Sequence, residues 1–349
     1  MIGIILSTSI TKRVSVKDEG NWDPYIQFYT KQARKHQVDL CFYSLKDISV
    51  KSKQVNGFVY SYKHHKLVKK QAPLPKINLY KVKAYLTNKK AIEKVKRLKE
   101  DGFIIFNACS KREHRDKYKS YKYLSTFSHI RPHLPETTTL SYENLSNMLN
   151  KYPEVFIKPK RGGQGNKISI IRKEGNGYQI VYVYKRTKKE GKISNNQLRD
   201  FYKRKFPSPS KFIVQQGIPL KTYKGNKFDF RASPQKNKLD RWQVTGVMAR
   251  IATRGWDVTN IDQGGKSFYK LSKLINPQTK KKIKRLNIQI AKVLEKRFPH
   301  LNDLGLDFAV DKNGKIWFLE DNFVPNRKKA NQRRNRIPFA NVCSLYKKQ

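Results

Sequence analysis

The chain is poor in cysteine and in acidic residues. Its three cysteines, Cys41, Cys109 and Cys343, lie far apart among 349 residues, and none belongs to a CxxC pair. This spacing excludes a disulfide framework and a cysteine-based zinc site, and it favours a reducing compartment. The seven histidines likewise show no ligand spacing. We therefore expect a cytoplasmic protein whose chemistry depends on neither thiols nor imidazoles.

Long apolar stretches are lacking as well. No run approaches the roughly 20 apolar residues that a membrane-spanning helix needs, so membrane insertion is not expected. The opening segment MIGIILSTSITKRV has too short an apolar part for a secretory signal, and it predicts a first strand. Because short apolar segments recur along the chain, we expect a folded, enzyme-sized core rather than disorder.

Positive charge is what the chain has in excess. Lysine and arginine number 76 against 26 aspartates and glutamates, which gives a formal net charge of +50. Such a charge favours acidic partners, namely nucleic acid, anionic surfaces or acidic proteins. Lysines interleaved with tyrosines in HRDKYKSYKYL are compatible with nucleic-acid binding. No recognised nucleic-acid module is visible, however, and we rank this partner last.

Residues 1–112 predict a separate α/β domain. Strand-like apolar segments alternate there with helical periodicity, which predicts a mostly parallel sheet. The predicted strands are 2–6, 38–43, 57–62 and 103–108, and the predicted helices are 22–36 and 88–100.

The remaining chain is divided into segments 113–210 and 211–349. Ser141 is predicted to cap a helix that ends near Tyr152. Strands are predicted at 133–140, 155–160, 168–171, 178–184, 211–218, 228–233 and 241–252, and helices at 195–205 and 280–298. The basic tail RKKANQRRNR, residues 327–336, is predicted to be a solvated charged run.

The segment LGLDFAVDKNGKIWFLEDN, residues 304–322, predicts a hairpin. Its Asn313-Gly314 pair is typical of a two-residue type I′ turn, which needs a positive φ at both central positions. The opposed pairs are then Asp307 with Glu320, Val310 with Trp317, and Lys312 with Lys315. Two acids placed opposite each other repel unless a positive charge lies near them.

Asp307, Glu320 and Asn322 form a candidate metal site on this hairpin. Asn322 follows Glu320 by two residues, so both side chains lie on one face of the strand. Hard oxygen donors of this kind suit Mg²⁺, which commonly binds through one or two carboxylates and substrate phosphates. The alternative is that the strand ends are exposed and both acids point into water.

A second candidate is the strand and loop FIKPKRGGQGNKI. Lys158 and Lys160 lie on one face of the strand, and a loop with Gly162, Gly163 and Gly165 follows. Glycines let backbone N–H groups approach a phosphate, and lysines supply the opposite charge. The segment is neither a Walker A motif nor GxGxxG. An ordinary basic hairpin loop is the alternative.

Polar residues also interrupt several apolar strands and loops. They are Gln215 and Gln216 in FIVQQGI, Asp229 and Arg231 in KFDFRAS, Arg250 in VMARIA, and Asn260, Gly264 and Gly265 in TNIDQGGK. Taken singly, each is most simply an exposed or hydrogen-bonded polar residue. Asp229 and Arg231 on their own predict a surface ion pair that contributes little stability.

The order of these segments resembles that of ATP-grasp enzymes. Between about 116 and 326 the chain has a lysine strand, a glycine loop, a Gln-rich hinge, a DxR strand, an Arg strand, an NxxxGG loop and a D…ExN hairpin. The words FNACS, LPET, IKPKRGGQG, VTGVMARIA and TNIDQGGK are similar to those of the YheC/YheD family, endospore coat-associated ATP-grasp proteins. The resemblance implies an α/β (α+β) fold. Two antiparallel-sheet subdomains would sandwich ATP, preceded by a Rossmann-like pre-ATP-grasp domain.

The resemblance also implies residue roles. ATP would lie between a lid, 113–210, and a base, 211–349, with one or two Mg²⁺ ions, or Mn²⁺ instead, on Asp307, Glu320 and Asn322. Adenine would meet the backbone of the hinge. The implied nucleotide contacts are Lys117, Lys158, Lys160, Gly162, Gly163, Gln164, Gly165, Gln215, Gln216, Gly217, Ile218, Gly264 and Gly265. Arg231, Arg250 and Asn260 would be catalytic and face the γ-phosphate and the acceptor.

The activity implied is that of a carboxylate–amine ligase that forms an acyl phosphate, with a peptide or spore component as substrate. Phosphoryl transfer depends on positioning and charge neutralisation, so it needs no nucleophilic side chain. The alternative is a weakly active or inactive basic coat protein that keeps the fold and adheres to acidic coat material. The resemblance adds the forespore or spore coat as a location, and a homodimer as an assembly.

Three positions depart from the superfamily pattern. Asn166 replaces a further glycine, Asp321 replaces an apolar residue, and Asn326 replaces a glycine that often follows Pro325. Asparagine tolerates the left-handed region, and Asp321 is expected to point to the face opposite the metal. None of the three removes an implied ligand, so nucleotide and Mg²⁺ binding is still expected.

Overall fold

The computed structural model describes residues 1–14, 22–82, 85–110, 114–163, 165–325 and 332–349. Three sheets with their helices organise these residues into a mixed α/β molecule. Three sequence predictions fall outside the described residues: Gln164 of the glycine loop, Asn326, and 327–331 of the basic tail.

The N-terminal part of the chain forms a seven-stranded sheet with three helices. Its elements are β1 (Ile2–Ile5), α1 (Thr8–Thr11), α2 (Pro24–His36), β2 (Leu40–Tyr43), β3 (Ile48–Ser49), β4 (Gln54–Ser61), β5 (Lys66–Pro73), β6 (Ile77–Tyr80), α3 (Lys89–Glu100) and β7 (Ile104–Phe106). The strand order is β3-β4-β2-β1-β6-β7, with β5 on β4. The central strands β2, β1, β6 and β7 are parallel, whereas β4 is antiparallel to its neighbours. The prediction of a mostly parallel sheet is therefore right for the centre and wrong for the β4 edge.

The second sheet is antiparallel and has six strands. The elements of this stretch of chain are α4 (Lys117–Ser125), β8 (Thr137–Thr139), α5 (Tyr142–Lys151), β9 (Glu154–Pro159), β10 (Ile168–Glu174), β11 (Gly177–Tyr184), β12 (Thr187–Ser194), α6 (Leu198–Lys205) and β13 (Phe212–Gln216). The strand order is β12-β11-β10-β9-β13-β8. β13 thus belongs to this sheet, although the predicted boundary at 210 assigns it to the next segment.

The third sheet is also antiparallel and is backed by a long helix. The elements are β14 (Thr222–Tyr223), β15 (Asn226–Lys236), β16 (Trp242–Ile251), β17 (Lys266–Phe268), α7 (Pro277–Arg297), β18 (Gly305–Val310), β19 (Ile316–Asn322) and α8 (Gln332–Tyr346). The strand order is β17-β16-β15-β18-β19, with β14 on β15. α7 buries Ile283, Leu286, Ile290 and Leu294, at the three- and four-residue spacing that places side chains on one helix face.

Two helices pack away from the segment that chain order predicts. α4 buries Leu124 in the core of the third sheet, although the predicted lid begins at 113. α8 returns to the first sheet, where Phe339, Val342 and Cys343 join the core that includes Tyr29. The predicted solvated tail therefore leads, from residue 332 onward, into a helix that packs on the first sheet.

Helix ends follow capping rules. The Ser141 hydroxyl accepts the N–H of Asn144 at 3.0 Å and starts α5, so the predicted N-cap is confirmed. Asn276 caps α7 by accepting the N–H of Thr279 at 2.7 Å, and Pro277 occupies the first helical position. None of the helices within the described ranges has both the length and the apolar composition that crossing a membrane requires.

Candidate active site

A deep cleft separates the second sheet from the third. Its apolar wall includes Phe156, Ile218, Leu220 and Phe318. Polar residues from both sheets and from α4 line the rest, among them Lys117, Ser120, Lys158, Gln215, Lys227, Asp229, Arg250, Asp307, Glu320 and Asp321. The cleft holds about 1370 Å³ including its open mouth.

The hairpin turn at the edge of this cleft differs from the predicted one. Within residues 311–315, a positive φ occurs only at Gly314, at 82°. The Asp311 carboxylate accepts the N–H groups of Asn313 and Lys315, each at 2.9 Å. The loop is therefore 312–314, because a left-handed glycine after a type I turn closes a three-residue loop. The predicted type I′ turn, and with it the opposed pair Lys312 and Lys315, is wrong.

A bulge restores the predicted pairing of the two acids. The longer loop shifts the register, so Val310 faces Ile316 and not Trp317 as predicted. The register shifts again next to Asp307, where Leu319 is the extra residue of β19. Asp307 consequently faces Glu320, as the sequence predicts. The pairing results from the longer loop and the bulge together, and not from the predicted two-residue turn.

Asp307 is neutralised by arginines on the neighbouring strands. Arg231 lies opposite it on β15 and donates to both carboxylate oxygens, with Nη2 2.9 Å from Oδ2. Arg250, one strand further on, places its Nη2 3.1 Å from Oδ2. Burial would raise the pKa of Asp307, but the charges of Arg231 and Arg250 outweigh burial and lower it. The aspartate is therefore ionised at neutral pH.

Asp229 pairs with Arg250 rather than with Arg231. The two lie opposite each other on β15 and β16, and Nε of Arg250 donates to Oδ1 of Asp229 at 2.7 Å. The Thr259 hydroxyl donates to the same carboxylate at 2.6 Å. Asp229 is only 3% exposed and Arg250 5%. The predicted surface pair of Asp229 and Arg231 is wrong, because each side chain finds its partner across the ladder rather than along its own strand.

Lys117 supplies the cation for the second acid. Its Nζ lies 3.0 Å from Oε1 of Glu320 and donates to the Gly162 carbonyl at 2.7 Å. The backbone N–H of Lys117 donates to the Lys160 carbonyl at 2.9 Å. The first turn of α4 thus joins the glycine loop to the hairpin, and each acid of the opposed pair has at least one cationic partner.

Lys158 has an amide rather than a carboxylate as its partner. Its Nζ donates to Oε1 of Gln215 at 2.7 Å, and Nε2 of Gln215 donates to the Thr137 hydroxyl at 2.9 Å. Desolvation lowers the pKa of Lys158 to about 8, although the charge of Glu320 acts in the opposite direction. An ammonium group held in this way is suited to an anionic ligand.

The glycine loop, the β11–β12 turn and the loop after β16 meet above the cleft. Gly165 has φ of 67°, and a Cβ there would lie 2.7 Å from Oδ1 of Asn260. Oδ1 of Asn166 accepts the N–H of Lys185 at 2.8 Å and Nε2 of Gln263 at 3.1 Å. The glycine loop and the loop that contains Asn260, which the sequence predicts to contribute to one site, are therefore adjacent.

This arrangement, with a lysine strand, a glycine loop and an acidic hairpin around one cleft, matches a known family. The model of the YheC/D-like ATP-grasp family covers residues 106–345. The chain belongs to the YheC/D-like ATP-grasp family. The predicted family resemblance is thereby confirmed.

Two similar proteins come from Bacillus subtilis (strain 168). Endospore coat-associated protein YheD is 26% identical over 220 residues, which are 61% of this chain and 48% of YheD. Endospore coat-associated protein YheC is 24% identical over 220 residues, which are 61% of this chain and 60% of YheC. The aligned part spans only about half of the length of these relatives.

Solved ATP-grasp ligases share the fold over nearly the whole chain. PsnB complexed with a minimal precursor, Mg and ADP has a TM-score of 0.53 at 13% identity, and the match covers 100% of this chain and 98% of PsnB. D-alanyl-alanine synthetase A from Vibrio cholerae O1 has a TM-score of 0.51 at 10% identity, covering 99% and 97%. VanG D-Ala:D-Ser ligase from Enterococcus faecalis has a TM-score of 0.50 at 13% identity, covering 98% and 96%. These likenesses show the ATP-grasp fold.

Most of the residues that the ATP-grasp resemblance implies line the cleft. They are Lys117, Lys158, Gly162, Gly163, Gly165, Gln215, Gln216, Ile218, Arg250, Asn260, Asp307 and Glu320. Six others do not line it: Lys160, Gly217, Arg231, Gly264, Gly265 and Asn322. Arg231 is occupied by Asp307, and the N–H of Gly217 donates to the Glu154 carbonyl at 2.8 Å. The roles of all these residues remain predictions.

Asp321, the departure from the ATP-grasp pattern, lines the cleft. It accepts a hydrogen bond from the Ser120 hydroxyl of α4, and both residues line the cleft. Burial is the main cause that raises the pKa of Asp321 to about 6. Ser120, Lys227 and Thr259 line the cleft as well. These three are not predicted from the sequence, because a single polar residue in a helix, strand or loop has no spacing signal.

The donor set at the hairpin fits Mg²⁺ through two carboxylates. Asp307 and Glu320 face each other and line the cleft, and a carboxylate that accepts an arginine hydrogen bond keeps further lone pairs. Asn322 faces Gly305, and its enclosed Nδ2 has no hydrogen-bond partner among the described residues. No group of three acidic, histidine or cysteine ligands occurs in the described part of the chain. An ion here would need phosphate oxygens to complete its coordination.

Proposed function

We propose that this chain is an ATP- and Mg²⁺-dependent carboxylate–amine ligase. The observation that carries the proposal is that Lys117, Lys158 and Arg250 meet Asp307 and Glu320 in one cleft between two antiparallel sheets. Three cations suit the phosphates of a nucleotide, and two carboxylates suit the ion that accompanies it. Membership of the ATP-grasp family and likeness to ATP-grasp ligases support the same activity.

The adenine would lie against the apolar wall beside the hinge 216–218. The N–H groups of Gln216 and Gly217 already donate to the carbonyls of Glu136, at 2.9 Å, and Glu154, at 2.8 Å. The hinge therefore offers its carbonyl oxygens, rather than these two N–H groups, to the adenine amino group. Phe156 and Ile218 line the same wall and supply apolar contact.

The phosphates would lie at the charged end of the cleft. Lys158 and Lys117 bring ammonium groups there, and the loop with Gly162 and Gly163 brings backbone N–H groups. Asp307 and Glu320 would hold Mg²⁺ there. When bound, the ion neutralises charge on the phosphates and polarises the transferred phosphoryl group.

The proposed reaction proceeds in two steps. An oxygen of the acceptor carboxylate attacks the γ-phosphorus of ATP, the bond from that phosphorus to the β–γ bridging oxygen breaks, and ADP leaves. An amine then attacks the acyl carbon of the acyl phosphate, inorganic phosphate leaves, and the nitrogen loses a proton. Arg250 and the two lysines stabilise the oxygens that carry charge in the first step.

Mg²⁺-dependent ADP release tests the proposal. ADP release is measured for the wild-type chain, Glu320→Gln and Glu174→Gln. Peptides, amino acids and cell-wall fragments are offered to each as acceptors. Peptides come first, because PsnB has been solved with a precursor peptide and AMPPNP. Glu320→Gln keeps the shape but loses a charge, and we expect release to fall about 100-fold or more. Glu174→Gln removes an exposed acid paired with Lys192 and should change nothing. Nucleotide binding without ADP release on any acceptor would count against a ligase.

A second candidate function is adhesion to acidic coat material. The net charge of +50 and the coat-associated relatives favour it, and they also favour a spore-coat or forespore location besides the cytoplasm. Adhesion by charge weakens as salt rises, and it should persist in Glu320→Gln. If association with coat material required this carboxylate, the adhesion function would be excluded.

A further inference from the structure

A second cavity lies at the carboxyl edge of the first sheet. It is formed by the ends of β6 and β7, the first turn of α2 and the segments that precede β18 and follow β19. Its lining includes Tyr25, Lys81, Asn107, Asn302, Asp303 and Phe323. The cavity holds about 540 Å³ including its opening.

The position of this cavity is one where α/β sheets bind ligands. β1 lies between β2 and β6 in the sheet. The chain first adds strands on the β2 side of β1 and later adds β6 and β7 on its other side. Crevices beyond the carboxyl ends of strands next to such a switch are the usual ligand sites of these sheets. Lys81 directly follows β6, and Asn107 directly follows β7. Both residues therefore lie at this edge.

Asn107 joins the cavity to the hairpin that carries the proposed metal site. Its Nδ2 donates to the carbonyls of Asp303, at 2.7 Å, and Phe323, at 3.1 Å. Its Oδ1 accepts the N–H of Asn302 at 3.2 Å. Phe323 comes directly after Asn322, the last residue of β19. A ligand in the cavity would thus lie next to the end of the strand that bears Glu320.

Asn302 contributes an amide group that no protein atom satisfies. The residue is 1% exposed, and its Nδ2 has no hydrogen-bond partner among the described residues. Enclosed donors are almost always paired in folded proteins, so an unpaired one calls for an acceptor atom from outside the chain. Lys81 lines the same cavity and adds a positive charge. An amide donor and an ammonium group together favour a carboxylate.

We propose that this cavity binds a free amino acid through its carboxylate, and that this amino acid is the amine substrate of the proposed ligase. Asn302 and Lys81 are the specificity-determining residues, and the ligand's amino group extends toward the end of β19. The inference rests on the proposed function, because it names the substrate class that supplies the nitrogen.

Calorimetric titration of the full chain with Mg-ADP present tests this inference. The probes are L-alanine, D-alanine and L-glutamate, each beside its α-carboxamide, which keeps the amine but lacks the charged carboxylate. We expect at least one amino acid to bind about ten-fold or more tightly than its amide. Asn302→Asp replaces the donor with a like charge, and Lys81→Gln removes the cation. Each should weaken that binding about ten-fold or more and leave Mg-ADP binding unchanged.

Three outcomes would overturn the inference: no amino acid of the panel binds, the amides bind equally well, or neither variant changes the affinity. If Asn302→Asp does not fold, Lys81→Gln decides alone. Carboxylate-selective binding without ADP release from ATP would support the cavity and contradict the ligase function. ADP release with simple amines that is as fast as with amino acids would support the ligase and overturn the cavity assignment.

Discussion

At the residue scale, the placement of charge partners defines the cleft. Asp307 is ion-paired with Arg231 and Arg250, and Glu320 with Lys117. Lys158 differs, since its hydrogen-bond partner is the neutral amide of Gln215. A desolvated ammonium group without a carboxylate is unfavourable until an anion arrives. Of these side chains, Lys158 is therefore the one whose replacement should most clearly weaken ligand binding without lowering stability.

Lys158→Met is predicted to weaken ADP binding without destabilising the fold. A hydrogen bond to a charged group contributes about 1.5–3 kcal/mol, which corresponds to roughly 10- to 100-fold in affinity. The free energy of unfolding in urea should stay equal or rise, because a desolvated charge is removed. Lys192→Met, at the exposed pair with Glu174, is the matched control and should affect neither quantity. Unchanged ADP affinity in Lys158→Met would rule out its phosphate contact.

The same lysine predicts how nucleotide binding depends on pH. Burial lowers the pKa of Lys158 to about 8 in the ligand-free protein, so the ammonium loses its proton as the pH rises through that value. ADP favours the protonated form, so its affinity should fall above about pH 8 and stay level from pH 6.5 to 7.5. Calorimetry across this range measures the effect. Lys158→Arg, whose charge persists throughout, should abolish the fall; a fall that survives in Lys158→Arg would assign it to another group.

At the element scale, sequence patterns miss strands that expose most of their residues. β12, TKKEGKIS, has no buried residue and, among the described strands, pairs with β11 alone. It therefore lacks the alternation that predicts a strand. β5, KLVKKQAP, buries only two of its eight residues and is missed for the same reason. In the hairpin, the sequence predicts where the turn lies but not how long its loop is. Asn313-Gly314 identifies the turn, whereas the hydrogen bonds to the Asp311 carboxylate determine the length of the loop.

Gly314→Ala tests the turn geometry. A left-handed conformation costs a non-glycine residue about 1–2 kcal/mol, and Gly314 has φ of 82° with no atom within 4 Å of a built Cβ. Conformational strain alone should therefore lower the free energy of unfolding by about that amount in urea titrations. Gly191→Ala is the control, since its Cβ also meets nothing within 4 Å and its φ needs no glycine. Equal effects at both positions would contradict the proposed strain.

At the scale of the whole molecule, the site and the fold both depend on segments distant in sequence. The order of motifs along the chain identifies the ATP-grasp family, since that order is a property of sequence. The ion pairs cannot be predicted from this order. Asp229 and Arg231 are two residues apart in the sequence, yet Asp229 pairs with Arg250 and Arg231 pairs with Asp307, each on another strand. The same is true of α8, which is last in the chain and packs on the first sheet.

Phe339→Ala tests the long-range packing of α8. Phe339 is fully buried beside Tyr29, with ring centroids 5.3 Å apart. Removing a buried phenylalanine side chain typically costs about 3–5 kcal/mol, and denaturant unfolding should show a loss of this size. Lys348→Ala, an exposed position at the same end of the chain, should change stability by less than about 0.5 kcal/mol. A loss that small for Phe339→Ala would mean that α8 does not cover the N-terminal core.

The acidic hairpin and the lysines of the cleft are proposed to bind a nucleotide together with Mg²⁺. Calorimetric titration of ADP into the wild-type chain and Glu320→Gln, each with Mg²⁺ and with EDTA, measures this most directly. Mg²⁺ should strengthen ADP binding to the wild type by about ten-fold or more, and Glu320→Gln should lose most of this gain. ADP affinity that is the same in all four titrations, or no binding at all, would contradict it.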